Sequence, residues 1–501
     1  MIRTPDSHSP VLPGPPIAPG HPRGLYTLFF TEMWERFSYY GMRALLVLDM
    51  TKAIKDGGMG MNDKVASSIY GLYTAAVYLA SLPGGWLADR LLGAQNAVWY
   101  GGIIIAAGHF TMVIPRPETF FLGLVLVVVG TGLLKPNISA IVGGLYPEGG
   151  TRRDAGFTVF YMGINLGAFL GPFICGTLGE NVNWHYGFGA AGIGMVLGLL
   201  QYRLSLHHLG EAGRSPGHPD RLGGAGRSVL VLLAAAAAVF VGLCMTGFVR
   251  INPVAVARLT TWFIGSVAVL YFVFIFLAGR LEPVERNRVI VILVLFVAAA
   301  LFWAGFEQAG SSLNLFAERF TNRSLPGTSW LIPASWFQSI GPVFVITLAP
   351  VVAAIWVRLA RRNLDPSIPA KFGIGLLLLA AGFLVMVGAS VFVARGDKVM
   401  PTWLTMTYLI HTFGELCLSP VGLSSVTKLA PRRLVGQMMG IWFLASSMGN
   451  LIAGLVAGEF KVDTLSAWPG MYLQIVLMPA VAGLLLLVFA KPIKKLMGGV
   501  K

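Results

Sequence analysis

Long apolar runs recur along almost the whole chain and constrain its fold more than any other feature. Runs of about 20 residues are long enough to cross the hydrocarbon core of a bilayer, and we place fourteen of them at 25–50, 65–88, 96–115, 119–145, 156–179, 187–205, 228–249, 259–279, 289–317, 332–357, 371–394, 401–427, 434–458 and 470–490. The mean hydropathy is +0.71 and only 12% of residues are charged. This composition excludes a soluble globular enzyme, a disordered chain and a collagen-like fibre. It predicts an all-α integral membrane protein.

Two hydrophilic breaks, at 207–227 and 280–288, divide the spans into groups. Six spans precede the first break, an apolar pair lies between the breaks, and six spans follow. This arrangement predicts two six-helix bundles with two extra inserted helices, and secondary transporters commonly bind substrate between two such halves. The predicted division is a flexible cytoplasmic tail at 1–24, an N-terminal bundle at 25–205, a linker with the inserted pair at 206–288, a C-terminal bundle at 289–490 and a second cytoplasmic tail at 491–501.

The lysines and arginines predict the orientation of these spans. With an even number of spans both termini lie on one side, and about twice as many of the 37 basic residues fall in segments on that side as on the other. Because positive loops stay in the cytoplasm, this bias predicts cytoplasmic termini in a multi-pass protein of the cell (inner) membrane. It also explains the formal charge of +15 without invoking nucleic acid.

Few charged residues fall inside the spans, and each is a candidate for function because burying a charge in a bilayer costs several kcal/mol. They are Glu32, Glu35, Arg36, Arg43, Lys135, Glu307 and Glu415. On the first helix the two glutamates, both arginines and Tyr39 share a stripe about 100° wide, bordered by Tyr40. Such a stripe must face a polar cavity or the interior of a bundle.

Charge balance within this set favours proton binding. Four carboxylates and three cations leave one negative charge, which one proton would neutralise. Arg36 lies three and four residues from the two glutamates and can pair with either. Protonation of one glutamate would free Arg36 to pair elsewhere, which is the geometry of a proton switch. The simpler alternative is that some of these charges only pair with each other to hold helices together.

Several ordered motifs resemble one transporter family. Residues 32–41 read EMWERFSYYG and are similar to the proton-dependent oligopeptide transporters of the major facilitator superfamily. Further similar segments are GGWLADRLLG at 84–93, LLKPNIS at 133–139, FYMGINLGAFLGP at 160–172, FWAGFEQAGSS at 302–312, WFQSIGP at 336–342, GELCLSPVGLS at 414–424 and MMGIWFLASSMGN at 438–450. The resemblance covers residues 24–491, and the inserted pair resembles the bacterial members.

The resemblance implies a proton-coupled symporter that imports di- and tripeptides by alternating access. It implies proton coupling through Glu32, Glu35, Arg36 and Glu307, with Arg43 and Lys135 facing the substrate carboxylate. Glu307 and Glu415 are expected on the substrate side of the second half, Glu415 near the peptide amine. The expected pocket-lining residues are Tyr39, Tyr40, Tyr78, Asn165, Trp303 and Trp442.

Two positions depart from the family pattern. Gly341 precedes Pro342 where the family usually has asparagine, so a side-chain amide that would contact the peptide backbone is absent. Gly71 occupies the place where animal members carry a histidine in the second helix. Proton binding is therefore expected to rest on the carboxylates.

Other function classes have weaker support. A symporter of the same family for another solute, such as nitrate or a peptide-like drug, stays open, although a simple anion needs no partner for an amine. HExxH, GxSxG and GxxxxGK[ST] motifs are absent from the sequence, which argues against an intramembrane enzyme and against ATP drive. A passive channel is disfavoured by the two-bundle layout.

We expect no metal site and no cofactor other than the coupling proton. The expected partners are small peptides and membrane lipid, and the protein is expected to function as a monomer.

Overall fold

A computed structural model describes residues 20–146, 150–216, 224–325, 327–460 and 462–500. These residues form sixteen α-helices: α1 (Arg23–Thr51), α2 (Asp63–Leu87), α3 (Ala94–Met112), α4 (Pro117–Gly144), α5 (Gly150–Asn181), α6 (Trp184–Ser205), α7 (Gly224–Met245), α8 (Pro253–Ala278), α9 (Pro283–Phe306), α10 (Ser312–Phe320), α11 (Phe337–Arg361), α12 (Ile368–Ala394), α13 (Thr402–Leu429), α14 (Val435–Ala457), α15 (Trp468–Val488) and α16 (Ala490–Leu496). Most of the predicted tail, residues 1–19, lies outside the described part.

Local sequence explains where several helices begin. Asn62 and Asn252 stand before α2 and α8, and their side chains accept hydrogen bonds from the amides of Val65 and Ala255 at 2.9 and 3.2 Å. Asparagine at this position satisfies an amide that the helix itself cannot. The first turn of α9 forms a capping box, in which the Glu285 carboxylate accepts the Glu282 amide at 3.2 Å.

Each of the fourteen predicted spans coincides with helix, which confirms the predicted fold class. Within the described residues, ten helical segments are long and apolar enough to span a membrane by length and composition alone. Four of the predicted spans, α1, α3, α6 and α13, lie outside that set, and α1 carries four of the buried charges. The span predicted at 289–317 is wrong as a continuous helix, because α9 ends at Phe306 and a 3-10 turn separates it from α10.

The helices pack as two groups with a seam between them. Helices α1 to α6 contact one another, as do α9 to α15, and α2 packs against α14 across the seam, as α5 does against α11. The inserted helix α8 lies along the seam and contacts both α2 and α14. By contrast, no residue in the apolar stretch of α7 that the structure describes is fully buried by protein.

Candidate functional site

The first cluster of buried charges lies within α1. Arg36 forms an ion pair with Glu32, at 3.1 Å between Nε and Oε1, and contacts the Glu35 carboxylate more closely. All three side chains are at most 4% exposed. The Arg36 guanidinium also lies over the Tyr39 ring, 5.1 Å from its centroid. One guanidinium therefore faces two carboxylates, and a single proton would make this cluster neutral.

A second buried ion pair joins the two halves of the protein. The Arg43 guanidinium on α1 contacts the Glu307 carboxylate, and its Nε donates a hydrogen bond to the Tyr70 hydroxyl on α2 at 2.5 Å. The rings of Tyr40 and Tyr70 each lie 5.5 Å from the guanidinium. The family resemblance implies that Arg43 faces the substrate carboxylate and that Glu307 takes part in proton coupling on the substrate side of the second half. Here they bind each other directly.

Glu307 stands at the break between α9 and α10. It opens the 3-10 turn Glu307–Gly310, and the Ser312 hydroxyl at the start of α10 donates to the Gln308 side chain in that turn at 2.6 Å. The Gln308 amide then donates to the Ala453 carbonyl of α14 at 3.2 Å. A Cβ on Gly310 would lie 1.9 Å from the Tyr70 hydroxyl, so only glycine admits Tyr70 at this point. A break in a helix leaves backbone groups without their helical hydrogen bonds. Such a break is tolerated at membrane depth where the backbone is buried in protein or lines a water-filled cavity.

The remaining predicted residues lie around these two clusters. The Lys135 ammonium on α4 sits 4.2 Å from the Tyr78 ring centroid, and both residues are half-buried. Glu415 on α13 is half-buried, and it takes part in none of the ion pairs found among the described residues. Asn165 is buried, and its amide donates to the Tyr161 carbonyl at 3.0 Å.

The two predicted tryptophans lie on the second half. Trp303 on α9 meets the Phe306 ring edge-on at 5.5 Å, and its indole nitrogen has no hydrogen-bond partner within the described structure. Trp442 on α14 is buried and packs edge-on against Phe372 at 6.2 Å. Both rings therefore present apolar surface, with one unsatisfied indole donor at Trp303.

Tyr70 is a site residue that the sequence analysis missed. A helical period offered a signal for it, because Tyr70, Thr74 and Tyr78 follow each other at four-residue intervals on one face of α2. A polar aromatic stripe on an otherwise apolar helix indicates a surface that faces a partner rather than lipid.

Ion pairs also join the two halves at one end of the seam, where α1 ends and α2 begins; we call this the closed end. Arg319 binds Asp63 through two nitrogen–oxygen contacts of 2.6 and 2.8 Å. Two further pairs join the halves there, Lys52 with Glu318 at 3.2 Å and Lys64 with Glu459 at 2.7 Å. The ion pairs found at the other end among the described residues stay within one half or a loop, for example Arg433 with Glu285 at 2.9 Å.

Glu180 adds an uncommon contact at the same closed end. Its carboxylate, at the end of α5, accepts hydrogen bonds from the amides of Ala334 and Ser335 at 2.7 and 2.8 Å and from the Ser335 hydroxyl at 2.6 Å. Arg323 lies 3.6 Å away. A side chain of the first half thus binds the amides that precede α11 in the second half, where an anion is favoured.

Comparison with known proteins fits this arrangement. The model of the POT family matches residues 95–471. This chain belongs to the POT family. It is 45% identical to the peptide transporter YePEPT of Yersinia enterocolitica subsp. palearctica, over 95% of this chain and 96% of the relative. It is 38% identical to a di-/tripeptide transporter of Lactococcus lactis subsp. cremoris, over 96% and 98% of the two chains.

Solved structures show the same POT architecture. A mutant of the peptide transporter POT in complex with alafosfalin superposes with a TM-score of 0.87 at 42% identity, covering 96% of each chain. A POT family transporter in complex with 5-aminolevulinic acid gives a TM-score of 0.85 at 35% identity, covering 95% of this chain and 97% of that one. POT membership identifies the chain as a membrane transporter.

Proposed function

We propose that this chain is a proton-coupled symporter that imports di- and tripeptides by alternating access, with the substrate site between its two bundles. The observation that carries the proposal is the buried Arg43–Glu307 ion pair, which joins the bundles at a helix break. Relatives that cover nearly the whole chain are named as peptide and di-/tripeptide transporters, which supports peptides as the substrate class.

The Arg43–Glu307 ion pair couples proton binding to substrate binding directly. A proton on Glu307 would remove its charge and leave the Arg43 guanidinium without a carboxylate. A peptide carboxylate would then replace Glu307 at Arg43, with Lys135 as a second cation. The Glu32–Glu35–Arg36 cluster, with one carboxylate in excess, is proposed as the second place where a proton binds.

The other end of a peptide needs an anion on the second half. Glu415 is half-buried and takes part in none of the described ion pairs, so it is available for a cationic amine. Tyr39, Tyr40, Tyr78, Asn165, Trp303 and Trp442 are the proposed pocket lining. Aromatic surfaces accept varied side chains, which suits a transporter of many short peptides.

We propose a bacterial inner-membrane location, with both termini in the cytoplasm. In that orientation the ion pairs of Arg319, Lys52 and Lys64 close the outer end, so the arrangement described here is closed toward the outside. We further propose a functional monomer that needs no cofactor or metal besides the coupling proton.

Counterflow exchange separates this substrate class from its alternative. Proteoliposomes loaded with unlabelled dialanine should take up labelled dialanine, and free dipeptides should compete whereas C-terminally amidated dipeptides and nitrate should not. Lys135→Gln should lose exchange, and Lys55→Gln, on an exposed turn, is the matched control. Equal competition by amidated and free dipeptides would remove Arg43 and Lys135 from the carboxylate site.

A second candidate is a related small solute. One relative was solved with 5-aminolevulinic acid, which like a peptide carries an amine and a carboxylate. Exchange driven by that compound but not by dialanine would favour this candidate.

A further inference from the structure

An open groove of about 320 Å³ lies between the start of α1 and the end of α6, and its lining shares no residue with the candidate site. Tyr26 and Phe30 form its apolar wall, one helical turn apart, and they are 53% and 42% exposed. Exposed aromatic rings near the end of a membrane-spanning helix are typical of the level where lipid headgroups meet acyl chains.

The floor of the groove is polar, but its hydrogen bonds are made internally. The Thr27 hydroxyl donates to the Ser205 carbonyl at 3.3 Å, and the Gln201 amide donates to the Ser205 hydroxyl at 3.0 Å. The Thr31 hydroxyl donates to the Gln201 side-chain oxygen at 3.1 Å. The bonds of Thr27 and Thr31 join α1 to α6, so the groups free to bind a ligand are those at the mouth.

One arginine and two neighbouring histidines lie at that mouth. Arg23 is exposed, His208 is half-buried, and the ring of His207 lies 3.9 Å from that of His208. Within the described residues, none of these groups has a carboxylate at ion-pair distance. Partial burial, followed by the positive charges of His207 and Arg23, lowers the pKa of His208. The mouth therefore holds one permanent cation, Arg23, and a histidine that an anion would favour in its protonated form.

Backbone packing fixes the mouth in place. A Cβ on Gly24 would lie 2.9 Å from the His208 carbonyl oxygen, so the first turn of α1 packs tightly against the turn that contains His208. Arg23 and His208 therefore stand on one rim, although they come from opposite ends of the first bundle.

We propose that this groove binds one anionic phospholipid, with its phosphate between Arg23 and His208 and an acyl chain along Tyr26 and Phe30. The charge of the mouth selects the anionic headgroup, and the aromatic wall at membrane depth accepts the chain. Basic pockets between helices on the cytoplasmic side suit such headgroups. The site is separate from the peptide site and does not depend on the proposed function.

Lipid titration with native mass spectrometry tests the headgroup contact. Purified protein should retain phosphatidylglycerol more tightly than phosphatidylcholine, and Arg23→Gln should weaken phosphatidylglycerol roughly fivefold while leaving phosphatidylcholine unchanged. The control is Arg203→Gln, because Arg203 is an exposed cation of α6 that lies over Trp99 at 5.7 Å rather than in the groove. Equal losses in the two variants, or no headgroup preference in the wild type, would overturn the proposal.

His208 and the aromatic wall of Tyr26 and Phe30 can each be tested separately. An anion favours protonated histidine, so phosphatidylglycerol should bind more tightly at pH 5.5 than at pH 8, two values on either side of the ordinary histidine pKa of about 6.5. His208→Gln should reduce that difference. Phe30→Ala should weaken both lipids without changing the preference between them.

Water-soluble anions separate a lipid site from a simple phosphate site. Glycerol phosphate and inorganic phosphate should compete poorly with phosphatidylglycerol, because neither has a chain for the wall. If either competes as well as the lipid itself, the groove is an anion site only and the lipid assignment is wrong.

Discussion

The seam between α2 and α14 is tightest where two glycines meet, and it offers a sharp test of the two-bundle account. A Cβ on Gly454 would lie 2.4 Å from the Ser67 carbonyl oxygen and 2.9 Å from the Gly71 Cα. A carbon and a carbonyl oxygen normally approach to about 3.3–3.6 Å, so Gly454→Ala must separate the helices by about 1 Å. The contact stands three residues before α14 ends at Ala457, at the closed end.

The size of the effect follows from the cost of overpacking, which is typically about 1–3 kcal/mol. If the bundles tilt apart at this end during transport, the methyl group disfavours only the closed arrangement. The equilibrium should then shift toward the arrangement open at this end by roughly 5- to 150-fold. Gly436→Ala is the matched control, because it lies on the same helix and a Cβ there meets no heavy atom within 4 Å.

Spin-label distance measurements report this equilibrium. Labels on Lys55→Cys and Lys398→Cys, both exposed at the closed end and on opposite bundles, should move apart in Gly454→Ala but not in Gly436→Ala. Cys244, the half-buried native cysteine, is replaced first. Identical distance distributions and identical dialanine exchange in the two variants would refute the argument that this crossing belongs to the closed state.

Three further substitutions test other parts of the site. Glu180→Gln removes the charge that binds the amides of Ala334 and Ser335, so the distance between the same two spin labels should increase. Glu211→Gln, which breaks an exposed ion pair, should leave that distance unchanged. Gly341→Asn adds a side chain where a Cβ meets nothing within 4 Å, so the variant should fold normally. By supplying one hydrogen bond, the asparagine should lower the dipeptide concentration needed for half-maximal competition roughly two- to tenfold. An unchanged concentration would mean that position 341 does not face the substrate. Glu415→Gln should weaken dipeptides roughly ten- to a hundredfold but hardly affect N-acetylated dipeptides, and similar losses for both would assign Glu415 to gating or packing.

Most of the helical architecture was predictable because the bilayer imposes a length on every span. The inserted helices α7 and α8 were also predictable, because each has the length of a span and two hydrophilic breaks separate the pair from the bundles. The break at Glu307 was missed because the run 289–317 stays apolar on both sides of it. The turn is explained by contacts across the seam, such as Tyr70 against Gly310, and a single sequence does not contain them.

The site was predictable only as a set of residues. Rarity of charge in the membrane singled out Arg43 and Glu307 separately, but their pairing depends on how α1 and α9 come together. The closing contacts of Glu180 and Arg319 lie near helix ends, where charged residues are ordinary and carry no signal. The Glu32–Arg36 contact, by contrast, follows from four-residue spacing on one helix and appears as expected.

Proton coupling through the carboxylates of α1 can be measured as the accumulation of labelled dialanine in proteoliposomes. Wild-type protein should concentrate dialanine when an inward proton gradient is imposed and only equilibrate it without one. Glu35→Gln should lose the gradient-driven accumulation but keep counterflow exchange, because the glutamine still fills the buried site beside Arg36 but holds no proton. Accumulation by the wild type that is unaffected by collapsing the gradient, or equal loss of accumulation and exchange in Glu35→Gln, would contradict the account.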